Sequence, residues 1–262
     1  MSAPTRSRSK GPGYAQQRCS QNGFSLIEIA MALALMGVLV SMTLKSQELL
    51  EQYRENQFVA QVQTLIANVR AHRSSLGRWP GDCNRDGLVD NTFTTLTTEP
   101  GMDLEYVVPQ SFTAAAGSAA TYAVGNVCPL STLLPFENVN VPFNELKLAG
   151  LAPLGEPNRK SANHGLTGFA YVGTFETTAS SATIEQRFNA VLLTDVPKQA
   201  ARRLANAIDG HDGTAANMGR VRRVNSDLHT FAKLWTPVDE SQTGRINVVV
   251  FFDRIPTSMV LL

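Results

Sequence analysis

Acidic and amide side chains recur at alternate positions directly after Pro80. They are Asp82, Asn84, Asp86 and Asp90, with Gly87 in the sixth position of the segment. Oxygen side chains spaced in this way converge when the chain curls around a cation, and glycine permits the sharp turn that the curl requires. The pattern D-x-N-x-D-G-x-x-D therefore predicts a Ca²⁺ loop, in which the Leu88 carbonyl is a further oxygen ligand.

This loop departs from a complete EF-hand loop at its last position. The twelfth residue is Phe93, where an EF-hand has a bidentate Glu. We therefore expect a dissociation constant no better than about 10⁻⁴ to 10⁻³ M, unless another segment supplies the last ligand. The alternative is a metal-free turn in which Asp and Asn side chains bond to the local backbone.

A second carboxylate of interest lies in an apolar run. Glu28 is the one charged residue between Phe24 and Leu44, a run of about 21 residues. A helix of this length spans about 30 Å, the thickness of a bilayer core. An ionisable group inside a membrane costs about 2.5 to 3.5 kcal/mol on insertion scales, so the sequence predicts a function for Glu28.

Basic residues precede this run. They are Arg6, Arg8, Lys10 and Arg18, with no Asp or Glu among the first 23 residues. The positive-inside rule places this segment in the cytoplasm and exports the chain beyond Lys45. A cleaved secretory signal has an apolar region of only about 7 to 15 residues and a small-x-small site, which residues 41–46 lack. A lipoprotein would have its cysteine after the run, whereas Cys19 precedes it.

The segment Gly23-Phe24-Ser25-Leu26-Ile27-Glu28-Ile29 resembles the processing site of type IV prepilins and type II secretion pseudopilins. In that family a prepilin peptidase cuts after the glycine and methylates the new N-terminal residue, which the resemblance assigns to Gly23 and Phe24. The family's carboxylate, here Glu28, pairs with the new amino terminus of a neighbouring subunit during assembly. A buried carboxylate is tolerable only when paired, and cleavage creates the amine that pairs it. The leader is longer than in most pilins of the first subclass.

The resemblance implies a structural subunit of a type IV pilus or a type II secretion pseudopilus. Its partners are then the prepilin peptidase, other pilin or pseudopilin subunits and the inner membrane. The chain is larger than most major pilins, which favours a minor subunit. We expect a single-pass inner-membrane precursor with a periplasmic globular domain, and later a periplasmic or extracellular filament. The alternative is an inner-membrane signal-anchored protein with a periplasmic binding or enzymatic domain, which explains neither Gly23 nor Glu28.

The cysteines also favour export. Of the three cysteines, Cys19 lies in the leader, which leaves Cys83 and Cys128 in the exported part. An even pair in an exported domain predicts a disulfide, which would stabilise the domain by about 3 to 4 kcal/mol on the loop-entropy model. Two free thiols are the alternative.

Nothing in the sequence indicates catalysis. The four histidines fall in no metal-ligand spacing, and no G-x-S-x-G, H-E-x-x-H or phosphate-binding glycine loop occurs. We therefore predict no enzymatic activity and no required cofactor, with Ca²⁺ as the one ion indicated. Removal of the leader takes four of the 23 basic residues and none of the 22 acidic ones, so the mature chain carries a net charge of about −3. This balance argues against nucleic-acid binding.

Four segments are predicted. They are a cytoplasmic leader (1–23), a transmembrane or filament-core helix (24–45), an amphipathic helix (46–78) and a periplasmic pilin-like domain (79–262). In the third segment apolar residues recur every three or four positions, namely Leu49, Leu50, Tyr53, Val59, Val62, Leu65, Ile66, Val69 and Leu76. No proline interrupts Phe24 to Trp79, so a single helix of about 50 residues is favoured over two helices joined at residues 45–47.

The predicted fold class is α+β, with the long N-terminal helix packed on an antiparallel sheet. Further helices are predicted at residues 144–151 and 197–208, the first ended by Gly150 and the second opened by Pro197. Strands are predicted at residues 168–175, 188–194 and 246–252. The stretch 92–123 is rich in Thr, Ala, Ser and Gly and is expected to form long loops. Residues 205–210 and 219–221 resemble a helix-turn-strand unit of some larger prepilin-like proteins.

Overall fold

A computed structural model provides the structure of the protein. It describes residues 25–93, 96, 104–105, 127–128, 134–135, 137–178, 184–210, 215–235 and 244–256. Contacts divide the chain into two compact units, Met1–Leu49 and Leu50–Leu262. The predicted segment boundaries at residues 23, 45 and 78 stay predictions, and most of the loop region predicted at 92–123 lies outside the described residues.

The first helix, α1, runs from Leu26 to Leu76 and contains 51 residues. The prediction of one helix is therefore confirmed, and a break at residues 45–47 is not present. The helix ends at Gly77, which adopts φ +75° and donates its N–H to the Arg73 carbonyl at 2.8 Å. This left-handed conformation is open to glycine at little cost, and it terminates the helix two residues before the predicted end.

In the first unit, α1 is apolar and its described residues are all exposed. Leu26 is 86% exposed and Leu39 is 63% exposed. By length and composition, this part of α1 is able to cross a membrane. The Ser41 and Thr43 hydroxyls donate to the Val38 and Val40 carbonyls at 2.8 Å, so these polar groups are satisfied inside the helix, as a lipid environment requires.

In the second unit, α1 has one buried face. It consists of Phe58, Val62, Ile66, Val69 and His72. The predicted apolar stripe is confirmed at Val62, Ile66 and Val69 but is wrong at its two ends. Leu50 and Tyr53 near the start and Leu76 at the end are more than half exposed, because burial begins only at Phe58 and stops at His72.

A four-stranded antiparallel sheet forms the centre of the second unit, in the order β1-β2-β4-β3. The strands are β1 (Ala170–Thr178), β2 (Ile184–Pro197), β3 (Val221–Val224) and β4 (Arg245–Phe251). Consecutive residues of β2 and β4 are buried, including Leu192, Leu193, Val248 and Val249, so both faces of the two central strands are covered. The three predicted strands correspond to β1, β2 and β4, and the predicted α+β class is confirmed.

Three shorter helices accompany the sheet: α2 (Asn140–Leu148), α3 (Asn158–Ala162) and α4 (Lys198–Asp209). The prediction for α2 was four residues late at its start. Asn138 Oδ1 accepts a hydrogen bond from the Asn140 N–H at 2.8 Å, and Pro142 is compatible with the first helical turn. Gly150, with φ +74°, follows the helix as predicted.

The predicted helix-turn-strand unit corresponds to the end of α4 and the start of β3. The Asp209 carboxylate accepts hydrogen bonds from the Arg220 N–H at 2.8 Å and the Val221 N–H at 3.1 Å. Gly219 lies so close that a Cβ there would stand 2.4 Å from Asp209 Oδ2. The carboxylate therefore fixes where β3 begins, and only glycine fits beside it.

Candidate functional site

The predicted assembly residue, Glu28, lies in the first turn of α1. Its N–H donates to the Ser25 carbonyl at 3.0 Å, and the side chain is exposed. Among the described residues the Glu28 carboxylate has no ion pair and no hydrogen bond. A carboxylate is favoured near a helix N-terminus by the helix dipole, but its neighbours Ile27 and Ile29 are apolar and exposed. The predicted processing residues, Gly23 and Phe24, lie outside the described residues.

The predicted loop brings its three carboxylates together. Asp82, Asp86 and Asp90 each have a carboxylate oxygen within 4.8 Å of the others. Asp82 is 2% exposed and Asp90 is 8% exposed, whereas Asp86 faces the solvent. Like charges at this distance repel each other, and burial strengthens the repulsion.

Backbone hydrogen bonds within the loop explain how the carboxylates converge. Asp82 Oδ2 accepts from the Gly87 N–H at 3.2 Å, Asp86 Oδ1 accepts from the Leu88 N–H at 2.8 Å, and Asp90 Oδ2 accepts from the Cys83 N–H at 3.2 Å. Gly87 has φ +89°, which is the sharp turn that the sequence pattern predicts at this position. The loop therefore curls so that its three carboxylates lie close together.

One carboxylate oxygen in this loop has no partner. Asp82 Oδ1 is fully buried and accepts no hydrogen bond. Burial, reinforced by the nearby Asp86 charge, raises the pKa of Asp82 above its ordinary value. Buried polar atoms are almost always paired, so this oxygen marks a position where a donor or a cation belongs.

The two predicted neutral ligands are the Asn84 side chain and the Leu88 carbonyl. Asn84 is half-buried, and its Oδ1 accepts from the Asp86 N–H at 3.0 Å while its Nδ2 donates to Asp86 Oδ2 at 2.9 Å. Leu88 donates its N–H to Asp86, and the role of its carbonyl stays a prediction. Phe93, at the position of the missing Glu, is fully buried in the core.

The predicted disulfide is present. Cys83 and Cys128 are bonded, with their Cα atoms 5.0 Å apart, and the bridge joins residues 45 positions apart in sequence. Because Cys83 lies directly after Asp82, the bridge holds the start of the loop. The count of cysteines was sufficient to predict this pair.

Asn189 on β2 holds the other side of the loop. Its Oδ1 accepts from the Val89 N–H at 2.9 Å, and its Nδ2 donates to the Gly87 carbonyl at 2.7 Å. Asn189 is 1% exposed, so these bonds are shielded from water. This role of Asn189 was not predicted, since one Asn in a predicted strand gives no signal for a contact across 100 residues.

An ion pair joins the loop entrance to α2. The Arg78 guanidinium donates to both oxygens of Glu145, at 2.8 and 2.5 Å, and Glu145 Oε2 also accepts from the Gly81 N–H at 2.8 Å. Such bidentate pairs are among the strongest polar contacts. This pair was not predicted either, because the sequence around Glu145 indicates only a short helix.

His72 lies beside this ion pair, fully buried at the end of α1. Its Nδ1 donates to the Arg78 carbonyl at 3.2 Å, and its Nε2 lies 3.9 Å from Glu145 Oε2 without a hydrogen bond. Burial lowers the pKa of His72, so the imidazole is neutral at pH 7. His72 is therefore a buried, neutral residue that connects the end of α1 to the Arg78 backbone.

Comparison with known protein families identifies the N-terminal segment. Residues 18–44 match the model described as the prokaryotic N-terminal methylation motif. This motif is the hallmark of type IV prepilin and pseudopilin-like proteins, and the matched residues include Gly23, Phe24 and Glu28. No curated protein and no solved structure shows significant similarity to the chain.

Proposed function

We propose that this chain, which carries the N-terminal methylation motif of type IV prepilin and pseudopilin-like proteins, is a structural subunit of a filament. In this proposal the prepilin peptidase cuts the chain after Gly23 and methylates Phe24. The mature subunit then leaves the membrane and enters a type IV pilus or a type II secretion pseudopilus, as a minor subunit. The motif indicates a structural role rather than an enzymatic one.

The match at residues 18–44 is the observation that carries the proposal. It includes the glycine, the apolar run and the carboxylate in one segment, and each part has a use in processing and assembly. A membrane anchor alone needs neither Gly23 nor Glu28, since a plain apolar helix crosses the bilayer more easily without a charge.

The exposed apolar surface of the first unit supports assembly. Leu33, Leu35 and Met36 are each more than 60% exposed, as are most of their apolar neighbours in this part of α1. Monomeric soluble proteins rarely expose contiguous apolar patches larger than a few hundred Å². Such a surface requires lipid before assembly and neighbouring helices after it.

Glu28 supports pairing with a second subunit. Its carboxylate has no partner within the described part of the chain, and removal of the leader at Gly23 would create a free amine at Phe24. A carboxylate in an apolar environment is stable when it pairs with such a cation. In each chain the amine at Phe24 precedes Glu28 by four residues. Pairing of Glu28 with the amine of a neighbour would therefore also determine how far adjacent helices are shifted along each other.

The disulfide supports export of the second unit. Disulfides form and persist in oxidising compartments such as the bacterial periplasm. The Cys83–Cys128 bridge therefore agrees with the orientation predicted from the basic leader, with the N-terminus in the cytoplasm and the globular domain in the periplasm. The minor-subunit assignment depends only on the size of the chain.

Mass spectrometry of the N-terminus tests this proposal. The full chain is produced in cells with and without a prepilin peptidase, and the protein is isolated from the membrane fraction. We expect methylated Phe24 as the first residue when the peptidase is present, and an intact leader when it is absent. An intact leader in both cells, or a cut elsewhere, would contradict the proposal.

A further inference from the structure

We propose that residues 82–90 bind one Ca²⁺ ion, with Asp82, Asp86 and Asp90 as charged ligands and with Asn84 and the Leu88 carbonyl as neutral ones. The site lies in the globular unit and does not depend on the filament role proposed above. Its function is to stabilise the loop that connects the end of α1 to the sheet.

Two observations support the site. The first is the convergence of the three carboxylates, which have oxygens within 4.8 Å of one another. The second is Asp82 Oδ1, which is fully buried and has no hydrogen-bond partner. Acidic side chains on a surface can turn apart into water and so reduce their repulsion. Asp82 is instead held in the loop by the hydrogen bond that its carboxylate accepts from the Gly87 N–H. A cation at this position would both bind the free oxygen and offset the repulsion among the three carboxylates.

Arg78 lies close to the cluster but forms no ion pair with Asp82. Arg78 donates to the backbone carbonyl of Asp82 at 3.3 Å, not to its carboxylate, and both arms of its guanidinium are bound to Glu145. Within the part of the chain that the structure describes, Asp82 and Asp86 form no ion pair. The carboxylates of Asp82 and Asp86 are therefore available to an ion from solution.

The ligand chemistry favours Ca²⁺. All five proposed ligand atoms are oxygens, which hard cations prefer, and the sulfur of Cys83 is committed to its disulfide. Mg²⁺ requires a tight octahedron and releases its water reluctantly, whereas Ca²⁺ accepts six to eight ligands in irregular geometry. The exposed Asp86 leaves room for water to complete the coordination shell.

The loop is largely preformed and open to solvent. Cys83 is fixed by the disulfide, and Gly87 and Val89 are fixed by Asn189, so little chain has to be ordered on binding. The exposed side of the loop, at Asp86, gives an ion access to the site. The missing twelfth ligand keeps the expected dissociation constant at about 10⁻⁴ to 10⁻³ M.

Thermal melting of the full chain in detergent tests the proposal. We expect the melting temperature to rise by a few degrees between excess chelator and free Ca²⁺ at about ten times the dissociation constant, and to rise less with Mg²⁺. Tb³⁺ luminescence sensitised by the nearby Trp79, and its displacement by Ca²⁺, reports binding directly.

Two variants connect the effect to the loop. Asp86→Asn removes one exposed ligand charge and should abolish the Ca²⁺ shift with little change in chelator. Glu137→Gln makes the same change of charge at an exposed position outside the cluster and should keep the full shift. Asp82→Asn should also abolish the shift, and it should not lower the melting temperature in chelator, because it removes a repelling charge.

Three results would overturn the proposal. The first is a wild-type melting temperature that is equal in Ca²⁺ and chelator, the second is a full Ca²⁺ shift in Asp86→Asn, and the third is an equal response to Mg²⁺. In each case the loop would be a polar turn, or a site without preference for Ca²⁺.

Discussion

Each of the two units contains a carboxylate that forms no ion pair with any described residue, and the two carboxylates lie in opposite environments. Glu28 is exposed in the first unit and is surrounded by apolar side chains that are themselves exposed. Asp82 is 2% exposed in the second unit and is held by the backbone of its own loop. We propose that the first carboxylate is completed by an amine and apolar cover from another chain. We propose that the second is completed by a small ion, because its own loop already holds it in place.

The two units also differ in how completely their own residues satisfy and cover them. The second unit satisfies most of its own polar groups, as the Arg78–Glu145 pair and the bonds of Asn189 show. The first unit has a surface that no described part of its own chain covers. Assembly is therefore expected to depend on residues of the first unit, and stability on residues of the second.

The largest effect is expected from Gly23→Ala. The residue before the cut must fit a narrow peptidase site that the resembling family fills with glycine, so maturation should be blocked or severely slowed. Immunoblotting should show the uncut precursor in the inner membrane. Gly13→Ala, in the same leader, is the control and should be processed normally. Normal cleavage of Gly23→Ala would remove the main support for the proposed processing site.

Glu28→Ala should separate processing from assembly. We expect cleavage to remain largely intact, because the cut lies between Gly23 and Phe24, and we expect incorporation into filaments to fall strongly. Ala inserts in the membrane more easily but cannot bind the amine of a neighbour. The measurement is the amount of the subunit in sheared filaments, with Glu48→Ala as a control in the same helix. Incorporation at the wild-type level would show that Glu28 has no pairing role.

Reduction of the Cys83–Cys128 disulfide should affect only the second unit. We expect the free energy of unfolding to fall by about 3 to 4 kcal/mol on the loop-entropy model. Denaturant unfolding of the full chain in detergent, with and without reductant, measures this loss. Non-reducing peptide mapping of the exported protein provides the check, and recovery of both cysteines as free thiols would refute the bridge.

A smaller effect, on the pH dependence of stability, is expected at His164, whose hydrogen-bond partner lies within the chain. Its Nε2 donates to the Thr194 carbonyl at 3.0 Å, and its ring lies edge-on to Phe58 with centroids 5.1 Å apart. Burial lowers the pKa of His164 below its ordinary value of 6.5. The folded state therefore prefers the neutral ring, so stability is full above pH 6.5 and is lost as the pH falls through the lowered pKa.

Melting curves of the full chain between pH 7.5 and pH 5 test this direction. The wild type should lose stability on acidification, and His164→Gln should show a weaker dependence on pH. An identical slope in His164→Gln would assign the acid sensitivity to other groups, such as His72.

Local patterns were sufficient for much of the fold and part of the site. The apolar run and its spacing predicted the single helix α1, and short apolar segments predicted β1, β2 and β4 to within a few residues. The three carboxylates of the loop converge as their spacing predicted. These features depend on residues close together in sequence, whose types restrict the backbone directly.

Predictions that needed knowledge of distant neighbours were weaker. The apolar stripe of α1 was extended too far, because periodicity indicates which face is apolar and not where a covering surface begins and ends. The start of α2 was placed late, since Pro142 was not recognised as part of a first turn. Phe93 was read as a missing ligand, and the structure shows that this position belongs to the core.

The sequence by itself determined the membrane-length helix, the position of Glu28 in it, the curled shape of the loop and the two cysteines available to pair. Tertiary structure alone decided the sheet order β1-β2-β4-β3, the bonds from Asn189 and the Arg78–Glu145 pair. The physical reason is distance along the chain. Turns and helices follow from the conformational preferences of adjacent residues, whereas burial of Asp82 Oδ1 depends on which remote segments close over the loop.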